Sequence, residues 1–379
     1  MGIVRLEIEW HSQESLKRPI ISDLMAFDDI SRYRNRGLTR RSLLVGALSA
    51  AGLAVVGGTP ANAAGRPGRK GRVLIATNEP WGTYHAAPLL PEAGRQGWDV
   101  VQLVPDLSQI TPDDPVTVAT PDNIPEADLL VVTGAGDWPA DCAARLRDLP
   151  LVAGSLAYQL PQEAPRAKEF RDRLRAITAS SPAEAKVFDD YLGTGGRRIE
   201  VVGTPQTDDL PRYRPEEGTV LVLTSVTKDS ETGGSAPGTQ LLLDAAAQLA
   251  AAGKHVLVGL HPREDRSLWE QYEISPVPSV LASARAESAI GIPGTVFPVV
   301  AAMGVPLVGC TDPALQIPDY LLSVCTHTIT SADDAVSAVE TAEPVSRKVL
   351  YEAVGPVGGS AKRLFKVWRK AGDQAHAAA

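Results

Sequence analysis

From Arg72 onward, short apolar runs alternate with segments of helical spacing, and this alternation limits the fold more than any other feature. Arg72–Thr77, Trp98–Val104, Asp128–Thr133, Leu151–Ala153, Arg175–Ala179 and Ile199–Val202 read as strands. Each is too short for a helix, and most are nearly continuous in apolar character, as in strands buried on both faces. Ala86–Gly94 and Glu163–Leu174 have helical spacing between them. A further helix opens at Ser181, with Ser181 as N-cap, Pro182 in the first helical position and Glu184 at the capping-box position. The segment Asp208–Gly218 carries Pro211, Pro215 and many charges, and reads as an interdomain linker.

A second series follows. Thr219–Thr224, His255–Leu260, Ser288–Ile292 and Val305–Val308 read as strands. Thr239–Ala252, Val277–Ala284, Thr295–Met303 and Ala332–Glu340 read as helices, and Val345–Ala371 as a closing helical region. Strands alternating with helices imply parallel sheets with right-handed crossovers. The expected fold is therefore α/β, with two Rossmann-like domains facing a cleft. They span residues 66–210 and 219–371, with 211–218 as linker and 372–379 as a tail.

Residues 1–63 read as an address. Arg40-Arg41 stands directly before a mildly apolar, Gly/Ala-rich run, and no charged residue occurs from Ser42 to Gly65. The run reaches Ala61-Asn62-Ala63, a small-x-small cleavage pattern. These parts in this order are the signature of a twin-arginine secretory signal with a long n-region. They imply a secreted or cell-envelope protein, the twin-arginine translocase as a transient partner, and no stable membrane span after cleavage. A transmembrane anchor is the competing reading; the short run argues against it. Met25 is an alternative start.

Charge excludes some functions. The whole chain has a formal net charge of -8. Residues 1–63 hold 8 Lys+Arg and 6 Asp+Glu, so the remaining 316 residues carry a net charge of -10. That balance argues against a general nucleic-acid binder. The three cysteines, Cys142, Cys310 and Cys325, suggest neither a disulfide framework nor a thiolate metal cluster. The six histidines are scattered, so no metal site is expected, and no cofactor motif is present. Gly134-Ala-Gly136 is followed by Asp137-Trp138-Pro139, which breaks the dinucleotide fingerprint. Gly154-Ser155 lacks the frame of a serine-hydrolase elbow.

Two stretches carry a family resemblance. Ile177-Thr-Ala-Ser-Ser-Pro-Ala-Glu-Ala185 followed by Val201-Val-Gly-Thr-Pro-Gln-Thr-Asp-Asp209 resembles the end of the N-terminal domain in GT-B-fold glycosyltransferases, glycerophosphotransferases and UDP-N-acetylglucosamine 2-epimerase-like proteins. Val256-Leu-Val-Gly-Leu-His-Pro-Arg-Glu264, with Ser288-Ala-Ile-Gly-Ile-Pro-Gly-Thr-Val-Phe-Pro298 and Ala302-Met-Gly-Val-Pro306, resembles the nucleotide-binding half of that fold. The resemblance implies a transferase acting on a glycosyl or polyol-phosphate group, with a nucleotide-sugar, polyol-phosphate or glycan ligand. It also implies a Glu in the helix after the Gly-Thr turn, to hold the donor ribose. Val296-Phe-Pro-Val-Val300 carries no carboxylate there, so a secreted, non-catalytic glycan- or nucleotide-binding protein is the alternative.

Candidate site residues follow. Gly294 and Thr295 begin a helix, where free N–H groups favour an anion; a simple helix cap is the competing reading. His261 ends a buried strand, where open α/β sheets bind ligands, and is a candidate donor to phosphate or a leaving group. Arg263 is a candidate anion partner or a solvated turn residue. Thr224 and Ser225 follow the first strand of the second series as candidate phosphate contacts, although polar loops of this kind are common. In the first series, His85 is a candidate general base and Asp137 a second base or orienter of the His, each otherwise a surface residue. Trp81 and Trp138 are candidates for a sugar-stacking wall or for rim packing.

Overall fold

The computed structural model describes residues 71–112, 114–155, 163–225, 236–261 and 264–376. Residues 1–63, read above as an export signal, and the tail beyond His376 lie outside the described residues, as does Arg263. The first half contains β1 (Gly71–Thr77), α1 (Leu90–Gln96), β2 (Trp98–Leu103), β3 (Thr117–Ala119), β4 (Leu129–Thr133), α2 (Asp137–Arg145), β5 (Leu151–Gly154), β6 (Leu174–Ala179), α3 (Pro182–Leu192) and β7 (Glu200–Val201). The second contains β8 (Glu216–Leu223), α4 (Thr239–Ala251), β9 (His255–Gly259), β10 (Glu273–Ile274), α5 (Ser279–Ala282), β11 (Ala286–Gly291), α6 (Val296–Ala302), β12 (Leu307–Cys310), α7 (Asp319–Leu322), β13 (His327–Ile329) and α8 (Ala335–Glu340). Two helices, α9 (Arg347–Val354) and α10 (Ser360–His376), end the chain.

Both sheets are parallel, with strand orders β3-β2-β1-β4-β5-β6-β7 and β10-β9-β8-β11-β12-β13. This is the expected pair of Rossmann-like halves. Each sheet is covered on both faces. In the first, Leu74, Leu130 and Ala153 pack toward α2 and α3, while Val73, Ile75 and Val131 pack toward α1 and α10. In the second, Val220, Val258 and Ile290 face α4 and α8, while Leu221, Leu257 and Ala289 face α6 and α9. Alternate residues of each strand thus feed opposite cores, which explains the continuous apolar runs.

Several expectations are corrected. Glu163–Leu174 is not a helix but two 3-10 turns, Ala167–Glu169 and Arg171–Arg173. Phe170 between them has φ -136° and is buried, so packing of its ring interrupts the helical backbone. Arg173 then turns back to the carbonyls of Ala143, Leu146 and Arg147 at the end of α2. Ala86–Gly94 divides into a 3-10 turn, Ala87–Leu89, and α1, with Pro88 and Pro91 at the starts. Ser181 does cap α3 through the Glu184 N–H, but the Glu184 carboxylate reaches the Ser180 N–H at 2.7 Å.

The closing region is the largest difference. Gly355, Gly358 and Gly359, all with positive φ, separate α9 from α10. α9 packs against α3 of the first half and α6 of the second. α10 returns to the first sheet, where Leu364, Phe365 and Trp368 join the core with Val73 and Ile75. The Val201–Asp209 motif holds this return. Val202 O accepts from Arg363 Nε at 2.8 Å. Gly203 has φ +78°, and a Cβ there would lie 2.3 Å from Pro356 O. Asp208 accepts from the Ser360 and Ala361 N–H groups at 2.6 and 2.8 Å, capping α10 with a negative charge. Asp208→Ala is therefore expected to cost about 1–2 kcal/mol in chemical denaturation. A loss within about 0.3 kcal/mol would contradict the cap assignment.

Candidate functional site

In open α/β sheets, ligands bind beyond the carboxyl ends of the strands, where the strand order reverses. The reversals here lie between β1 and β4 in the first sheet and between β8 and β11 in the second. The two crevices differ in what occupies them.

At the first reversal the crevice is filled by the chain's own side chains. Asn78, directly after β1, accepts from the Gly136 N–H at 2.9 Å and donates to the Tyr191 hydroxyl at 3.1 Å. Tyr191 Oη in turn accepts from the Ala135 N–H at 3.3 Å. A Cβ on Gly134, whose φ is +135°, would lie 2.2 Å from Asn78 Oδ1. Gly134-Ala-Gly136 is thus a seat for Asn78. That accounts for glycines in a pattern that is no dinucleotide fingerprint.

The first-half candidates surround this seat without meeting in one constellation. His85 ends the 3-10 turn Thr83–His85, and its side chain is 2% exposed. The carboxylate beside it is Glu79, whose Oε2 lies 3.6 Å from His85 Nε2. Asp137 is 91% exposed and lies 3.5 Å from Arg166, which also pairs with Asp141 and Glu169. Trp138 packs on the core, and its indole N–H donates to Leu103 O at 3.0 Å. Trp81 donates to Asp106 O at 3.1 Å.

At the second reversal Thr224, His261 and Gly294–Thr295 lie on loops that leave neighbouring strand ends. Leu223 pairs in register with Gly259 of β9 and Gly291 of β11, so the loops that follow leave from three adjacent strand ends. A Cβ on Gly291 would lie 2.5 Å from Leu223 O, which keeps these ends close. Thr224 Oγ1 accepts from the His261 N–H at 2.7 Å, and His261 O accepts from the Glu264 N–H at 2.9 Å. Thr224 therefore holds the His261 turn rather than standing free as a phosphate contact. Ser225 is buried next to it. Gly294 and Thr295, both half-buried, lead into α6, which is only seven residues long. Thr295 makes no side-chain cap bond to that helix.

Sequence reasoning passed over Asn78, Glu79 and Tyr191, and read Glu184 as a cap alone. Glu184 lies at the ends of β5 and β6, with the Ser180 and Ser155 groups beside it. Burial pushes its carboxyl up to about 7, against the opposing hydrogen bonding from Ser180. The three thiols are pushed up to about 12 by burial, so none supplies a thiolate near neutral pH. Among the described residues there is no cluster of metal-ligating side chains. No helix among them is long and apolar enough to cross a membrane.

Two parallel Rossmann-like sheets with a crossed-back last helix form a GT-B fold, and solved structures share it. The chain is similar to a putative UDP-N-acetylglucosamine 2-epimerase from Listeria monocytogenes, at 12% identity and TM-score 0.54, over 80% of this chain and 97% of that one. It is similar to a variant of the wall teichoic acid polymerase TagF, at 10% identity and TM-score 0.53, over 81% and 90%. It is also similar to a complex of MnaA with UDP from S. aureus, at 11% identity and TM-score 0.50, over 78% and 95%. No protein-family model and no curated protein sequence matches the chain.

Proposed function

We propose that the chain is a GT-B-like transferase of a glycosyl or polyol-phosphate group in the cell envelope, exported through its twin-arginine signal. The observation that carries this reading is that the loops bearing Thr224, His261 and Gly294–Thr295 leave three adjacent strand ends of the second sheet. An imidazole donor at the His261 turn would suit the charge that develops on a leaving phosphate. The UDP complex and the putative UDP-N-acetylglucosamine 2-epimerase among its structural neighbours support a nucleotide-linked ligand. In the first half, buried His85 beside the half-buried Glu79 is the better candidate for activating an acceptor, with Asp137 held in the Arg166 cluster.

A second reading rests on α6. Its residues Val296, Phe297, Pro298, Val299 and Val300 offer no carboxylate to a ribose. This favours a secreted protein that binds a nucleotide or glycan without turnover. Turnover separates the two. On a donor that the wild type consumes, His261→Ala and Thr295→Val are expected to lower kcat by about a hundredfold each. Full turnover in both variants would overturn the site assignment. Absence of turnover on nucleotide-sugar and nucleotide-polyol donors, with ligand binding intact, would favour the second reading.

A further inference from the structure

The strongest charge asymmetry outside the strand-end site lies on α10. Leu364, Phe365, Val367, Trp368 and Ala371 are buried against the first sheet. The opposite face exposes Lys362, Lys366, Arg369 and Lys370. Their spacing of four, three and one places them along one side of the helix, over a rise of about 12 Å. None of the four makes an ion pair with a described residue; Arg369 donates to Gln96 Oε1 at 2.7 Å. That bond brings α1 alongside, and α1 adds Arg95, whose side chain is 71% exposed. The neighbouring carboxylate of Glu92 is already taken up by Arg95 and Gln96.

This arrangement is out of keeping with the rest of the protein. Beyond residue 63 the chain carries 39 Asp+Glu against 29 Lys+Arg, yet the four exposed cations on α10 make no ion pair with a described residue, and the carboxylates beside the row are Glu92, on which Lys362 acts electrostatically, and Asp373 at its far end. A solvated helix face in an acidic protein would ordinarily interleave both signs. The row contains no exposed aromatic side chain, so it offers no stacking platform to a nucleic acid. Val357, 44% exposed, stands three residues before the helix and adds an apolar contact at the same end. A shallow cationic row with an apolar edge complements a flat sheet of phosphate headgroups.

We propose that α10, with Arg95, is an electrostatic docking surface for an anionic phospholipid bilayer. It holds the first half against the membrane while the strand-end site stays in water. Each cation near an anionic leaflet strengthens partitioning about fivefold. The attraction acts within a Debye length of about 10 Å at 0.1 M salt.

The test is co-sedimentation of the full chain with phosphatidylglycerol vesicles and with phosphatidylcholine vesicles. Because the first 63 residues are themselves basic and apolar, the comparison is between full-length variants. The variant with Lys362, Lys366, Arg369 and Lys370 all changed to Gln is expected to lose about a hundredfold or more in phosphatidylglycerol partitioning. A control with exposed Arg198, Arg212, Arg347 and Lys348 changed to Gln is expected to stay within about threefold of wild type. Circular dichroism checks that both fold. Equal vesicle binding by wild type and the α10 variant overturns the proposal. So does equal loss in both variants, which would show a mere net-charge effect. Binding of a soluble polyanion such as polyphosphate, with no vesicle binding dependent on α10, also overturns it.

Discussion

Replacing Trp368 by Ala should remove about 3–5 kcal/mol of stability, the cost of deleting a fully buried large aromatic. Trp368 is 1% exposed and ends an aromatic ladder that runs through Phe365 across the chain's return to the first sheet. Its ring meets Phe365 edge-on at 5.1 Å, and Phe365 meets Trp98 at 5.9 Å. Around them lie Val73, Ile75 and Val131, so the indole joins α10 to the central strands β1 and β4. The loss would therefore release the helix that carries the return, together with the clasp made by Asp208 and Arg363. Trp368→Phe is a sharper companion. The indole N–H is buried with no hydrogen-bond partner, so its removal gives up only ring volume. It is expected to cost less than half as much as Trp368→Ala. Denaturant unfolding measures both, and a Trp368→Ala loss below about 1 kcal/mol would mean that α10 does not pack as described.

The second large effect is a dependence of stability on pH. Glu184 ionises at about 7 in the fold, because burial opposes its charge, and near the ordinary carboxylate value of 4.5 when unfolded. Below 4.5 both states hold the proton, and the full contribution is present. Between 4.5 and 7 the folded state holds more protons than the unfolded one, so stability falls as pH rises. Above 7 both states have lost the proton, and the curve is flat again. The total loss is about 3 kcal/mol at about 1.4 kcal/mol per pH unit. Glu184→Gln keeps an acceptor for the Ser180 N–H and removes the charge. This variant should be more stable than the wild type at pH 8 and should lack the fall between pH 5 and 7. The same fall in the variant would assign it to other groups. Ser180 also abuts the turn between α9 and α10, where a Cβ on Gly355 would stand 1.9 Å from Ser180 O.

The sequence was most informative where burial decides the residue type. β1, β4, β8 and β9 were legible because strands covered on both faces are apolar throughout. The edge strands β3, β10 and β13, of two or three residues, were not, because so short a run has no period to detect. The return of α10 was also hidden. Its apolar stripe shows that one face is buried but says nothing about which sheet buries it. The Val201–Asp209 motif carried a family resemblance, while its physical role in holding that return emerged only from the geometry. In the second half, Thr224, His261 and Thr295 were chosen from strand ends and a polar turn. Exposed Asp137 was chosen from its place after a strand, whereas the carboxylate beside His85 comes from Glu79, six residues before it. Asn78 was passed over because an Asn after a strand looks like any turn residue until its partner across the sheet is known.

The central claim is that the strand ends around His261 take a nucleotide-activated donor. Ligand-induced stabilisation tests it most directly. Thermal unfolding of the full chain would be followed with nucleotide diphosphates, with their sugar and polyol conjugates, and with oligosaccharides. At about 100 times Kd a bound ligand stabilises the fold by about 2.7 kcal/mol. The account predicts that a nucleotide diphosphate or its conjugate produces this shift in the wild type and a clearly smaller one in His261→Ala. Stabilisation by oligosaccharides alone, or an undiminished nucleotide shift in His261→Ala, would contradict it.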